Sequence, residues 1–152
     1  DWFMETSQWI IDHDLELMEH GMDIRLLTDE TTNRLTELSF FNNMKFAYDN
    51  ESDELAVRDG IRMLKKHGIN VRHSVHFYVY TNGPEDFDSA LARCRQLKEW
   101  GTNAFVMFNI DAHRTDRIKH LQSWANRKWL FWKIDFNEYK TANGMREGNT
   151  VG

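Results

Sequence analysis

The chain has 152 residues and a formal net charge of −5, set by 19 basic and 24 acidic side chains mixed along its length. That length suits one compact domain burying roughly two thirds of its unfolded surface, and the charge mixture shows neither a basic stripe for nucleic acid nor an acidic tail. A single cysteine, Cys94, excludes an internal disulfide, and no segment reads as a signal peptide or a membrane-spanning apolar run, which together predict a reducing, cytoplasmic location.

The first residues, Asp1-Trp2-Phe3-Met4, carry no initiator methionine and read as if entered mid-domain, which predicts an N-terminal truncation. Thr6 or Ser7 is the expected cap of a helix whose apolar residues Ile10, Ile11, Leu15 and Met18 return at helical spacing until His20-Gly21. Met22 to Thr28 reads as a short strand. A helix through Leu35 and Leu38 follows, with Asp29 as its N-cap and Glu30 set against the helix dipole. Met44 to Tyr48 is a second expected strand. Ser52 then opens a helix whose apolar face is Leu55, Val57, Ile61 and Leu64 and whose stop is His67-Gly68.

Ser74 to Thr81 predicts a third strand, with Val75, Phe77 and Val79 on one face and His76, Tyr78 and Tyr80 on the other. Gly83-Pro84 turns the chain into a helix from Glu85 that carries Phe87, Leu91, Cys94 and Leu97 and stops at Trp100-Gly101. Ala104 to Phe108 is the fourth strand. A last helix from about Thr115 places Ile118, Leu121, Trp124 and Ala125 on one face and reaches the aromatic run Trp129 to Trp132. Residues 1–139 are thus expected to form the folded unit, and the polar, Gly-rich segment 140–152 a disordered tail.

Strand, helix, glycine, strand is the grammar of βαβ units, so the expected fold is α/β with a parallel sheet. Four strands do not close a barrel, which takes about 250 residues in its eight-unit form. The sheet is therefore either an arc of a larger barrel or a small doubly wound layer. Each strand runs into a polar cluster at its C-terminal end: Thr28-Asp29, Tyr48-Asp49-Asn50, Tyr80-Thr81-Asn82 and Asn109-Ile110-Asp111. Ligands of α/β proteins bind at that edge.

In an arc, Arg25, Asp49, His76, Tyr78, Tyr80 and Asn109 line the concave side or its upper rim, a set polar enough to point to a ligand cavity, since an unpartnered buried polar group costs about 1–3 kcal/mol. The competing expectation is that Arg25 and Asp49 pair across neighbouring strands and the tyrosines bond locally. Two histidines beside C-terminal glycines, His20 and His67, suit the helix dipole better than catalysis. No spacing fits a zinc site, Cys94 reads as a core residue, and neither a phosphate loop nor a nucleophile elbow is present. Asn126-Arg127-Lys128-Trp129 mixes bases with aromatics, a weak nucleic-acid signal in an acidic chain; covering the open end of the sheet, or equally a subunit contact, accounts for it better.

Taken in order, Phe46-Ala47-Tyr48-Asp49-Asn50, Gly60 to Ile69, Phe77-Tyr78-Val79-Tyr80, Arg93 to Leu97, Phe105 to Asn109 and Trp124 to Lys128 resemble the later βα units of the radical S-adenosylmethionine (radical SAM) superfamily. Asp135-Phe136-Asn137-Glu138-Tyr139 is similar to the closing segment of a phage and bacterial subgroup whose reactions are mostly undefined. The resemblance runs nearly to Lys140 and rests on order and spacing. It implies a fragment of a partial TIM barrel in which a [4Fe-4S] cluster cleaves S-adenosylmethionine to a 5′-deoxyadenosyl radical that abstracts a hydrogen, with a substrate and an electron-donor protein as partners. In that family three cysteines of a loop after the first strand hold the cluster. This sequence has no such loop, so the resemblance places it upstream of Asp1 and implies an inactive fragment. By family position, Asp49 and Asn50 meet the cofactor's ribose, Tyr80, Thr81 and Asn82 approach its adenosyl part, Met107 to Asn109 border the adenine, and Arg25 and Thr28 sit on the third strand. The strand carrying Tyr80 lacks the glycines often found in the family motif. A flavodoxin-like or partial-barrel binding module without a cluster, or a decayed prophage fragment, are the alternatives.

Overall fold

Strict alternation organises the middle of the chain. In the strand Val75–Thr81, residues 75, 77, 79 and 81 are buried while His76, Tyr78 and Tyr80 stay half-exposed, the period-2 pattern of a sheet packed on one side. The structure, a computed structural model, describes residues 1–142. It is α/β, with two small parallel sheets. In chain order the elements are α1 (Trp2–Asp12), β1 (Glu16–Leu17), α2 (Asp29–Glu37), β2 (Ser39–Phe40), β3 (Met44–Ala47), α3 (Glu54–Lys66), α4 (Val71–Ser74), β4 (Val75–Thr81), α5 (Phe87–Glu99), β5 (Asn103–Phe108), α6 (Asp116–Ala125), α7 (Lys128–Lys133) and α8 (Phe136–Ala142). Short 3-10 turns at Ile24–Leu26, Glu51–Asp53 and Pro84–Asp86 precede or link the helices.

The main sheet runs β3-β4-β5, all parallel, with Phe46 opposite Phe77 and Tyr78 opposite Phe105. Met44, Phe46 and Tyr48 of the first strand, the buried row of β4, and Ala104 and Val106 of β5 share one core with Val57, Ile61 and Leu64 of α3, Leu91, Cys94 and Leu97 of α5, and Ile118, Leu121 and Trp124 of α6. At about 25 cal/mol per Å², burial of these side chains is the main favourable contribution to the fold. The opposite face is open: Phe105 and Met107 are 40% and 43% exposed. Parallel sheets are ordinarily covered on both faces, so this bareness is a distinguishing property of the unit.

Its two edges are finished differently. Beyond β5, Asn126 at the α6–α7 junction accepts the Val106 N–H on Oδ1 (2.6 Å) and donates through Nδ2 to the Val106 carbonyl (3.1 Å), while Gln122 Nε2 donates to the same carbonyl (3.3 Å). Beyond β3, Met22 bridges in parallel to Phe46, its N–H donating to the Lys45 carbonyl at 2.7 Å. The Glu19 carboxylate accepts both the Gly21 and the Lys45 N–H.

The structure corrects the N-terminal third. Asp1, not Thr6 or Ser7, caps α1, accepting the Phe3 N–H at 3.1 Å, and the helix ends at His13 because Asp14 turns to φ 52°. Leu15 and Met18 therefore lie outside it, exposed, and the intervening Glu16–Leu17 pairs with Ser39–Phe40 as a second, two-stranded parallel sheet. The expected strand Met22 to Thr28 shrinks to one bridge at Met22, because the Asp23 carboxylate accepts the Arg25 N–H (3.0 Å) and winds residues 24–26 into a 3-10 turn. Thr28 rather than Asp29 caps α2, in a reciprocal box with Thr31. Asn126 and Arg127 break the expected last helix into α6 and α7. Of the expected tail 140–152, the backbone to Ala142 continues α8, and residues 143–152 lie outside the described residues. No helix among the described residues is long and apolar enough to cross a membrane.

Candidate functional site

A cleft of about 240 Å³ opens where Met22 and β3 end, lined by Gly21, Asp23, Arg25, Asp49, Asn50 and Asp53 among others. Local chemistry builds it. Gly21 adopts φ 132°, so the backbone turn calls for glycine, and a Cβ there would meet the Tyr78 ring at ordinary contact distance, 3.4 Å. Asp23 pins Arg25 twice, through Nε (2.8 Å) and Nη2 (2.7 Å), and Asp53 stands 3.8 Å from Nη1. The expected alternative of an Arg25–Asp49 pair does not form: the partners of Arg25 are Asp23 and Asp53. Arg25 holds the Asp23 carboxyl below the ordinary carboxylate range, and Asp23 in turn raises Arg25.

Asp49 does something else. Where the β3–β4 ladder would continue, its Oδ1 accepts the Tyr80 N–H (3.2 Å), so a carboxylate replaces the next carbonyl rung. Asp49 and its neighbour Asn50, which makes no capping bond with its side chain, both line the cleft. Three carboxylates against one guanidinium leave the cleft net negative. It suits hydroxyl and ammonium donors, not a phosphate.

Beneath the rim lies a group that strand-end reasoning misses. Arg93 of α5 is fully buried; its Nη1 donates to the Tyr48 carbonyl (2.7 Å) and its Nη2 to the Tyr80 carbonyl (3.1 Å), with Asp86 at 3.6 Å. One guanidinium thus ties together the residues that precede Asp49 and Thr81. The sequence signal is its place on the helix: Ala90, Leu91, Cys94 and Leu97 are all buried, and a base inside that spacing must find acceptors in the core. Tyr48 also belongs to this layer, donating its hydroxyl to Gln96 Oε1 at 2.6 Å, and burial pushes its phenol up to about 12.

The remaining expected residues divide. Tyr80 and Met107 stand on the open face beside Tyr78 and Phe105, whose rings meet edge-on at 5.8 Å. Thr81 is buried and its hydroxyl donates to Gly83 (3.4 Å), so it shapes the turn. Asn82 is exposed beyond it, its N–H on Asp86 at 3.3 Å. Asn109 continues the β4–β5 ladder, donating its N–H to Thr81 (3.0 Å), and its side chain accepts the Asp111 N–H (3.0 Å). Thr28 is spent on the α2 cap and does not line the cleft. His76 lies at the other end of β4, where burial, with repulsion from Lys128 and Lys45, pushes it down to about 4.

A cluster has no ligands here: Cys94 is fully buried, burial pushes its thiol up to about 12, and no group of three or more His, Cys, Asp or Glu among the described residues is placed to hold a metal ion. The carboxylates of the cleft can accept from the hydroxyl or ammonium groups of a ligand. No protein-family model matches the chain, and neither a curated protein nor a solved structure matches it.

Proposed function

We propose that the chain is the C-terminal portion of a radical SAM enzyme, which binds S-adenosylmethionine across the C-terminal ends of its strands while an N-terminal part supplies the three cysteines of a [4Fe-4S] cluster. The observation that carries this reading is the convergence of Asp49 and Asn50, just past the end of β3, with Arg25, from the turn after the Met22 bridge, on one cleft of net negative charge. Packing of α3, α5 and α6 on a single face of the sheet favours an arc with a working concave side over a doubly wound layer. When bound, the cluster would supply the electron that starts the radical chemistry. This chain's own part is to hold the ligand: Asp49 accepts from hydroxyls, and Arg93 keeps the two strand ends at fixed spacing.

A second reading, a binding module that works without a cluster, draws on the continuous core from Ile24 to Phe136, which holds the strand ends in place by itself. Calorimetric titration of the 152-residue chain with S-adenosylmethionine tests the first reading. Binding is expected, weakened about tenfold in Asp49→Ala, the equivalent of one charge-assisted hydrogen bond at about 1.4 kcal/mol. Unchanged affinity in the variant removes Asp49 from the site; absence of binding at millimolar ligand removes the reading.

A further inference from the structure

The whole-chain charge balance hides a local one. No acidic residue occurs between Asp59 and Glu85, between Glu99 and Asp111, or between Asp116 and Asp135. The fold joins parts of all three stretches at the N-terminal end of the main sheet, opposite the cleft. Asn103, which opens β5, donates through Nδ2 to the carbonyls of Arg72 (2.9 Å) and Val75 (2.8 Å) and accepts the Trp132 indole N–H (2.7 Å). The Arg72 guanidinium lies 4.1 Å above the Trp132 ring, and Lys128 Nζ donates to the His73 carbonyl (3.3 Å). Other bases of these stretches, Arg62, Lys66, Arg117 and Lys119, have carboxylate partners. Arg72, Arg127, Lys128 and Lys133 form no ion pair among the described residues, and Asp135, just beyond them, is held by Arg95 at 2.7 Å.

Aromatic character is added at the same place. Leu130 and Phe131 are buried and anchor α7, which leaves Trp129 65% exposed on the outer stripe with Lys133 one turn away. Burial, and to a lesser degree the nearby Arg72 charge, hold the Lys128 ammonium below its ordinary value.

We infer that this end of the sheet is a docking surface for single-stranded nucleic acid, with phosphates met by Arg72, Arg127, Lys128 and Lys133 and a base stacked on Trp129. Uncompensated cations around one exposed aromatic plane match the way single strands are held without sequence preference. Insertion into an anionic bilayer calls for a broad apolar face, and the other apolar residues at the centre of α7 are turned into the core. The surface is independent of the cleft and of what the cleft binds.

Fluorescence anisotropy of a labelled oligothymidylate, titrated with the full chain at low salt, tests the inference. Binding is expected, with an affinity that falls as salt rises at a log–log slope of about −3, four phosphate contacts at about 0.7 each. Arg127→Glu with Lys133→Glu, both at exposed positions, should weaken it at least tenfold and flatten the slope by about 1.4. Trp129→Ala should weaken it at least fivefold. Arg114→Glu, an exposed base at the opposite end of β5, should leave the affinity unchanged. Absence of binding at low salt, full affinity in the double variant, or an equal loss with Arg114→Glu overturns the inference. Capture by phosphatidylserine vesicles with no response to the oligonucleotide overturns it in favour of a lipid headgroup.

Discussion

Acidification should unfold this protein earlier than its carboxylates alone require, and His76 is the reason. The imidazole sits at the N-terminal end of β4, with Asn43 Nδ2 3.3 Å from its Nδ1 and Lys45 and Lys128 as its charged neighbours. Burial first, then those two ammonium groups, push it from the ordinary 6.5 down to about 4. Because the folded value is depressed, the unfolded chain binds the proton more readily. Stability is therefore complete above about pH 6.5 and is lost as the pH falls through the folded value. At pH 4.5 the difference amounts to about 2–3 kcal/mol, a large share of the 5–15 kcal/mol typical of a domain. Asp23, Asp29, Asp116 and Asp135 also have lowered values, so their contributions disappear only at still lower pH. Urea unfolding at pH 7.5 and 4.5 separates the cases: His76→Gln, which cannot titrate, should lose about 2–3 kcal/mol less than the parent on the same step. An equal loss in both proteins, or an imidazole that titrates near 6.5 by NMR, refutes the assignment.

Two further perturbations bear on the rim. Arg93→Lys keeps a buried charge but not the fork that reaches both the Tyr48 and Tyr80 carbonyls; it should destabilise the fold by about 1.5–3 kcal/mol, read from urea midpoints, and broaden the NMR signals of Asp49 and Thr81. Gly60→Ala improves helix propensity by about 1 kcal/mol, yet a Cβ there would overlap the Ile24 side chain, itself buried. A net loss of about 1–2 kcal/mol is expected, and a gain in thermal stability would show that the 24–26 turn can move away from α3.

From Met44 to Ala125 the main elements were legible in the residues, because β4 alternates with period 2 and the faces of α3, α5 and α6 repeat at helical spacing, although Leu55, expected on the apolar face of α3, is exposed and the break after α6 was not foreseen. The first 43 residues misled for specific reasons. Apolar spacing continues through Leu15 and Met18 although Asp14 has already turned the backbone, and the apolar run after Met22 looks like a strand until the Asp23 carboxylate is seen capping a turn. Local side-chain bonds to the backbone won over hydrophobic pattern in both places. At the rim, Asp49 and Asn50 follow the end of β3 and share a cleft with Arg25, which a 3-10 turn rather than the expected strand brings there, whereas Thr28 was claimed by helix capping and Arg93, on a different element, had no strand-end signature. Whole-chain charge also averaged away the acid-free stretches, whose meeting point only tertiary structure discloses.

The Asn126 amide at the edge of β5 acts on the sheet as a chain terminator acts on a polymer. By presenting one acceptor and one donor to the same residue, it imitates the next strand and then offers nothing for another to join. Growth of the main sheet is thereby made directional. A strand joining at β5 would first have to displace the Asn126 amide from Val106. A partner attached at the β5 side would meet a finished edge.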